Sequence, residues 1–428
     1  MSLQTLLVPP VQRIIHISPP PVLSESNTTA RTDHFVILPD ELLLLIFSFL
    51  EAEQSPHEIK LTQWGPLTRV CRRWRDIAET LLYRTLLLKD RNPRIVKWWA
   101  ADKQRLSKLL STLQKRPHLR YYTHFLHVTV DDDAYSEDIL QIMDLLPCVR
   151  HMTIHLDLVR ESCLPLLHGV GRMKLQGLEF VGYGPAPSVN LLFVILSQMP
   201  TLRRLSTYRW GWCRDGSIYT SFAHDDSASM TAEELSQLLP LNKQGTSTLT
   251  GLDLQDPKTS IEVTECFFRW PTRLEEISLS SLCYGPYASQ YDAHSIQRLL
   301  SIHKDSLQMI TLGPIPPQGE DIPDFSDFPC LTDLHITLYK SSSNGRETPY
   351  ATYKKIAAPS LRHLEIDLGN EHRSNDQWVA EFLDLVRLGQ TCLQWVDVKF
   401  CRWGDLALGL ARRSSINCES VRYYIDVQ

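Results

Sequence analysis

A short pattern, apolar-x-x-apolar-x-apolar, recurs eleven times from residue 125 onward, and it constrains the fold more than any other feature of the chain. Its instances begin at Phe125 (FLHVTV), Val149 (VRHMTI), Leu175 (LQGLEF), Leu202 (LRRLST), Leu249 (LTGLDL) and Leu274 (LEEISL). They continue at Leu307 (LQMITL), Leu331 (LTDLHI), Leu361 (LRHLEI), Leu393 (LQWVDV) and Val421 (VRYYID). The intervals are 24, 26, 27, 47, 25, 33, 24, 30, 32 and 28 residues, most of them near or just above the roughly 20–29-residue period of one class of stacked repeat. Helical periodicity fills many of the intervals, as in SEDILQIMDLLP, SVNLLFVILSQMP, DAHSIQRLLSIHKDS and NDQWVAEFLDLVRLG. A single strand–helix unit cannot bury its apolar face alone, but stacked neighbours can. The pattern predicts an α/β solenoid from about residue 120 to 428 with a curved parallel sheet. Leu252, Leu254, Ile277, Leu279, Leu364 and Ile366 are its expected core residues.

The 47-residue interval breaks the rhythm. It holds a stretch at 210–247 rich in Gly, Asp and Ser, expected to leave the solenoid as a loop. Residues 1–34 contain five prolines and the polar run SESNTTARTD without a sustained period, and read as a disordered tail. Residues 89–119 read as a helical linker, with Leu109 and Leu113 one helical turn apart.

Between tail and linker, at 35–88, the chain changes character. Pro39, Asp40 and Glu41 make a favourable helix start, and Leu42–Phe47, Phe49 and Leu50 then place apolar groups on every side of the helix. A second helical stretch puts Leu67, Val70, Cys71, Trp74, Ile77, Ala78 and Leu81 on one face, with Arg69, Arg72, Arg73 and Arg75 between them. Two short helices make a thin core. Such a unit is expected to leave apolar surface for a partner.

These residues resemble an F-box. The likeness is carried by Leu38-Pro39-Asp40-Glu41-Leu42, Ile46-Phe47-Ser48-Phe49-Leu50, Val70-Cys71-Arg72-Arg73-Trp74-Arg75-Asp76-Ile77-Ala78 and Leu82-Tyr83-Arg84. The connection Glu51–Pro66 is longer than usual for the family. The later repeats resemble the divergent leucine-rich repeats that often follow an F-box, in proteins of the fungal type, although the usual Asn or Cys after each strand is mostly missing. The resemblance implies a small all-helical F-box followed by an irregular leucine-rich-repeat solenoid. It also implies a non-catalytic substrate receptor of an SCF ubiquitin ligase. The F-box would dock to the Skp adaptor, and through it to a cullin, by way of Leu38, Pro39, Leu42, Ile46, Phe47, Leu50, Val70, Cys71 and Trp74. The solenoid would hold a protein target for ubiquitination and proteasomal degradation. A Skp-binding or free leucine-rich-repeat scaffold without a ligase role is the alternative.

Other chemistry finds little support. No nucleophile elbow, phosphate loop or His-Glu-x-x-His helix occurs, and no cofactor is implied. Gly169-Val170-Gly171 begins a dinucleotide-like loop, but Lys174 stands where a third glycine belongs. His151 and His155 fall on one strand face without further ligands beside them. With 44 Lys+Arg against 49 Asp+Glu, the balance argues against nucleic acid as partner. The ten scattered cysteines and the absence of a secretory or membrane-spanning run point to an intracellular chain. On the strand positions flanking the core residues stand Glu179, Asp253, Glu276, Asp333, Glu365, Asp367 and Asp397, against Arg204 and Lys399. These columns are either an ordinary solvated surface or a groove that prefers a basic protein segment.

Overall fold

The computed structural model describes residues 39–52, 66–90, 99–130, 137–156, 164–182, 189–208, 243–255, 260–280, 290–314, 322–338, 348–368, 376–389, 392–401 and 418–424. The chain divides into two compact units, Met1–Pro56 and His57–Gln428. The tail expected at 1–34 and nearly all of the 210–247 excursion lie outside the described residues.

In the first unit the described element is helix α1, Asp40–Ala52. Two amides of its first turn, those of Leu42 and Leu43, donate to the Pro39 carbonyl at 3.1 Å. Asp40 and Glu41 place negative charge at the positive end of the helix dipole.

The second unit begins with α2, Arg72–Arg84, which runs without a break into strand β1, Thr85–Asp90. Helix α3, Trp99–Lys115, and a 3-10 turn, Pro117–Tyr121, lead to β2, Phe125–Val130. Strand and helix then alternate. α4 (Glu137–Asp144) precedes β3 (His151–Leu156), α5 (Leu164–Gly171) precedes β4 (Gly177–Gly182), and α6 (Val189–Ser197) precedes β5 (Arg204–Tyr208). After β6 (Gly251–Gln255) come α7 (Ile261–Arg269), β7 (Glu276–Ser280), α8 (Ala293–Ser301), β8 (Met309–Leu312) and β9 (Asp333–Thr337). The series closes with α9 (Pro349–Ile356), β10 (His363–Asp367), α10 (Asp376–Leu388), β11 (Trp395–Cys401) and β12 (Cys418–Tyr424). The twelve strands form one curved, mostly parallel sheet whose spatial order is the chain order. The expected solenoid is the fold.

Register turns the recurring pattern into ladders. Its second position runs from Leu86, Leu126 and Met152 at one end of the sheet to Leu334, Leu364 and Val396 at the other. Its third position runs from Leu88, Val128 and Ile154 to Ile336, Ile366 and Val398. These side chains are all buried, in one core with helix residues such as Ile142, Leu166, Phe268 and Phe382. Leu252, Leu254, Ile277, Leu279, Leu364 and Ile366 lie in that core as expected.

The ladders also correct the pattern at both ends. Met152 pairs with Leu126, so the hexad at Val149 aligns with Thr123-x-x-Leu126-x-Val128, two residues ahead of the frame at Phe125. Residues two apart point to the same side of a strand, so both frames satisfy the alternation and only hydrogen-bond register separates them. Thr123 can occupy the apolar position because its hydroxyl donates to the Tyr83 carbonyl at 2.9 Å. The same frame reaches back to Tyr83-x-x-Leu86-x-Leu88, so the sheet starts one strand earlier than the pattern predicts. At the far end, β12 is antiparallel to β11, not parallel as expected. Cys401 lies opposite Cys418, so β12 starts where β11 ends, and a parallel partner would need a crossover back to the edge where β11 starts.

A second device recurs just before the strands. Thr201, Thr248, Ser306, Cys330 and Ser360 each precede a first-position leucine, and each donates to a carbonyl of the preceding repeat: Leu175 (2.8 Å), Leu202 (3.0 Å), Leu274 (2.6 Å), Asp305 (3.2 Å) and Pro329 (2.6 Å). Where the Asn or Cys after the strand is missing, this column ties repeat to repeat.

Candidate functional site

The functional expectations fall on two helices, Asp40–Ala52 in the first unit and Arg72–Arg84 in the second, and on one face of the sheet. On α1, Leu43 is 1% exposed, whereas Leu42 and Ile46, four residues apart, are 45% and 47% exposed. Pro39 is exposed as well. Leu38 and the side chains of Phe47 and Leu50 lie outside the described residues.

On the second unit, Val70 is 58% exposed, Cys71 is exposed, and Trp74 is half-buried. Cys71 is the N-cap of α2, its Sγ accepting from the Trp74 amide at 3.5 Å. Ile77, Ala78 and Leu81 are buried. α2 is fastened by Glu79, whose carboxylate accepts two hydrogen bonds from Arg116 at 2.9 and 2.5 Å. Burial raises the Tyr83 phenol pKa against the opposing pull of Arg116.

That face of the sheet is the one turned away from the core. Several of its acidic residues are engaged across the strands. Thr153 donates to Glu179 (2.8 Å), Ser206 and Gln255 donate to one oxygen of Asp253 (3.1 and 3.4 Å), and Arg204 pairs with Glu276. On β9 and β10, Asp333 meets His363 at 2.5 Å and His335 meets Glu365 at 3.6 Å, a reciprocal pair of acid–imidazole contacts between strands in register. Asp367 lies opposite Lys399, and Asp397 lies beside Glu365 and is 3% exposed. The structure therefore brings Asp333, Glu365, Asp367 and Asp397 together on three adjacent strands, while Glu179, Asp253 and Glu276 lie on separate strands further along.

Another part of this face is not singled out by the repeat pattern. Phe125 stacks on His151 with ring centroids 4.9 Å apart, and the Arg84 guanidinium lies over Phe125 at 5.8 Å. Two glycines make room for large neighbours. A Cβ on Gly177 would stand 2.6 Å from His151 Nδ1, and one on Gly251 would stand 2.9 Å from Arg204 Cγ. At the other end His363 stacks on Trp395 at 4.7 Å. The available signal was the doublets Arg150-His151 and Arg203-Arg204 ahead of the buried position.

Gly169 and Gly171 lie in α5, with Leu140 of α4 3.2 Å from where a Gly169 Cβ would stand. They serve close helix packing and form no phosphate loop. Among the described residues no group of three or more His, Cys, Asp or Glu could hold a metal ion, and no helix is long and apolar enough to cross a membrane. Burial raises the Cys266 thiol pKa to about 11, which leaves it a poor nucleophile.

Residues 35–89 match the F-box-like family model. Comparison with curated proteins gives no significant match. Among solved structures, the crystal structure of a TLR13–ssRNA13 complex is similar over 59% of this chain, at 13% identity and a TM-score of 0.29, and the chain spans 43% of that protein's length. The chain thus carries an F-box-like motif at 35–89, followed by a repeating strand–helix solenoid.

Proposed function

We propose that the chain is the target-recognition subunit of an SCF-type ubiquitin ligase, docking the Skp adaptor through residues 35–89 and presenting a protein target on the open face of its sheet. The observation that carries this reading is the F-box-like match over 35–89. The exposed apolar side chains Leu42, Ile46 and Val70 support it. F-box motifs typically mediate docking to the adaptor and, through it, to a cullin. A receptor of this kind works by proximity. It holds the target near the charged ubiquitin carrier and needs no acid, base or nucleophile of its own. The docking set is Leu38, Pro39, Leu42, Ile46, Phe47, Leu50, Val70, Cys71 and Trp74. The concentration of Asp333, Glu365 and Asp367 over β9 and β10 supports capture of a basic target segment there.

Co-purification tests both parts. The chain should bring down the Skp adaptor together with a cullin. Leu42→Ala with Ile46→Ala should weaken adaptor binding by about 2 kcal/mol, roughly thirtyfold in Kd. Adaptor without cullin would favour the scaffold reading, and unchanged affinity in the double variant would sink the docking assignment.

A further inference from the structure

The strand-start edge of the open face is strongly basic at its N-terminal end. Arg84, Arg150, His151, Arg203 and Arg204 are exposed there, and His124 is half-buried beside them. At the same two positions of every strand from β1 to β6, no Asp or Glu occurs, and the first carboxylates are those of Glu275 and Glu276 at β7. Part of this edge is held in place: Arg203 donates to the Thr248 carbonyl at 3.1 Å, Arg204 pairs with Glu276, and Arg84 lies over the Phe125–His151 stack. His151 registers the local field. Its pKa is lowered, first by burial and then by the charges of Arg150, Arg204 and His124.

We propose that this edge docks an acidic, Asp/Glu-rich segment of a protein partner, an inference that rests on reading the open face as the target surface. The spread of the cations decides against a single anion. From β1 to β5 they extend over four strand spacings, about 19 Å, whereas a lone phosphate needs donors that converge on one point. The remainder of the face decides against nucleic acid. A continuous phosphate backbone crossing from β1 toward β11 would meet the carboxylates of Glu276, Asp333 and Glu365 beyond the basic end, while a polypeptide can change sign along its length. Acidic residues over β1–β5 and basic residues over β9–β11 are thus complementary to the whole face.

The test uses the full chain and three fluorescent probes: a Glu/Ser peptide of about ten residues, long enough to cross β1–β5 when extended, its Lys/Ser counterpart, and a single-stranded RNA of similar length. The Glu/Ser peptide should bind, more weakly as salt rises. Arg150→Glu with Arg203→Glu should weaken it at least about tenfold, Arg150→Gln with Arg203→Gln should weaken it less, and Lys354→Glu on α9 should leave it unchanged. The double variants should still bind the Lys/Ser peptide and the adaptor, which shows that they are folded. Binding of the Lys/Ser peptide without the Glu/Ser peptide would overturn this inference and leave the target-face reading standing. Failure of both peptides would remove the inference and the target-face reading together. RNA bound more tightly than the Glu/Ser peptide would also overturn it.

Discussion

On its buried side the sheet repeats the second and third apolar positions of the pattern from β1 to β11, with Thr207 the one polar rung among them, whereas on its open side neighbouring rungs rarely carry the same residue. The ladder through Leu126, Met152 and Leu178 faces the core. The ladder one residue further on runs His127, Thr153, Glu179, Ser206, Asp253, Ser278, Thr311, His335, Glu365 and Asp397. Both sets of side chains hang from the same backbone, so backbone geometry cannot explain the contrast. The buried face answers to packing, which asks for a side chain that fits the core at each step. The open face is released from that constraint and can vary charge and shape strand by strand, as a recognition surface requires.

The hardest way to break this contrast is to put open-face chemistry on the buried side. Leu364→Asp places an unpaired carboxylate at a fully buried position between Leu334 and Val396. It should destabilise by about 4 kcal/mol or more, read as a lowered midpoint of urea unfolding. A mild effect would mean that the stack opens locally to hydrate the charge.

A smaller break targets the column that joins repeats. Ser306→Ala removes the 2.6 Å hydrogen bond to the Leu274 carbonyl, and should cost about 1 kcal/mol in the same assay. If instead the variant is as stable as the parent, water replaces the hydroxyl and the column is not needed for cohesion.

Titration sharpens the comparison without changing its packing. His303 is 7% exposed, its Nε2 2.6 Å from the Phe268 carbonyl. Burial lowers its pKa, with the carbonyl opposing. The unfolded chain takes up a proton near the ordinary histidine pKa of about 6.5, while the folded imidazole stays neutral to lower pH. The group's contribution is therefore complete above that pH and is lost as pH falls through the folded pKa. Stability measured from neutral to mildly acidic pH should decline, and His303→Gln should flatten the part of the slope due to this group. An unchanged slope would assign the decline to other groups.

The smallest stability effect is expected on the open face. Met309 is 38% exposed on β8, between Glu276 and Asp333. Met309→Lys should change stability by no more than about 0.5 kcal/mol, while shifting the affinity of charged peptide probes. A cost comparable to that of Leu364→Asp would erase the distinction between the faces.

Much of the core was legible beforehand because its signal is local and repeated. Leu252, Leu254, Ile277 and Leu279 are set apart by alternation within their own hexads, and each interval supports the next. The misread frame at Phe125 and the unnoticed strand at Thr85–Asp90 share one cause. Tyr83 and Thr123 replace the expected aliphatic residue, and the hydrogen bond that makes Thr123 tolerable joins residues 40 positions apart. The open face was harder to read. Its acidic residues could be named one by one, but Arg204 pairs with Glu276 across the intervening strand β6, and the imidazoles that meet Asp333 and Glu365 come from the neighbouring strand.

The sequence alone determined the strand–helix alternation, the choice of buried face and the all-round apolar helix at Asp40–Ala52, because each follows from residue spacing within one element. Tertiary structure alone decided the register between strands, the antiparallel closing strand and the gathering of charge into a basic end and an acidic end. Those depend on where each crossover returns the chain, and the intervals vary from 24 to 47 residues. A side chain's direction is settled by its own backbone, but its neighbour across the sheet is settled only when the whole stack forms.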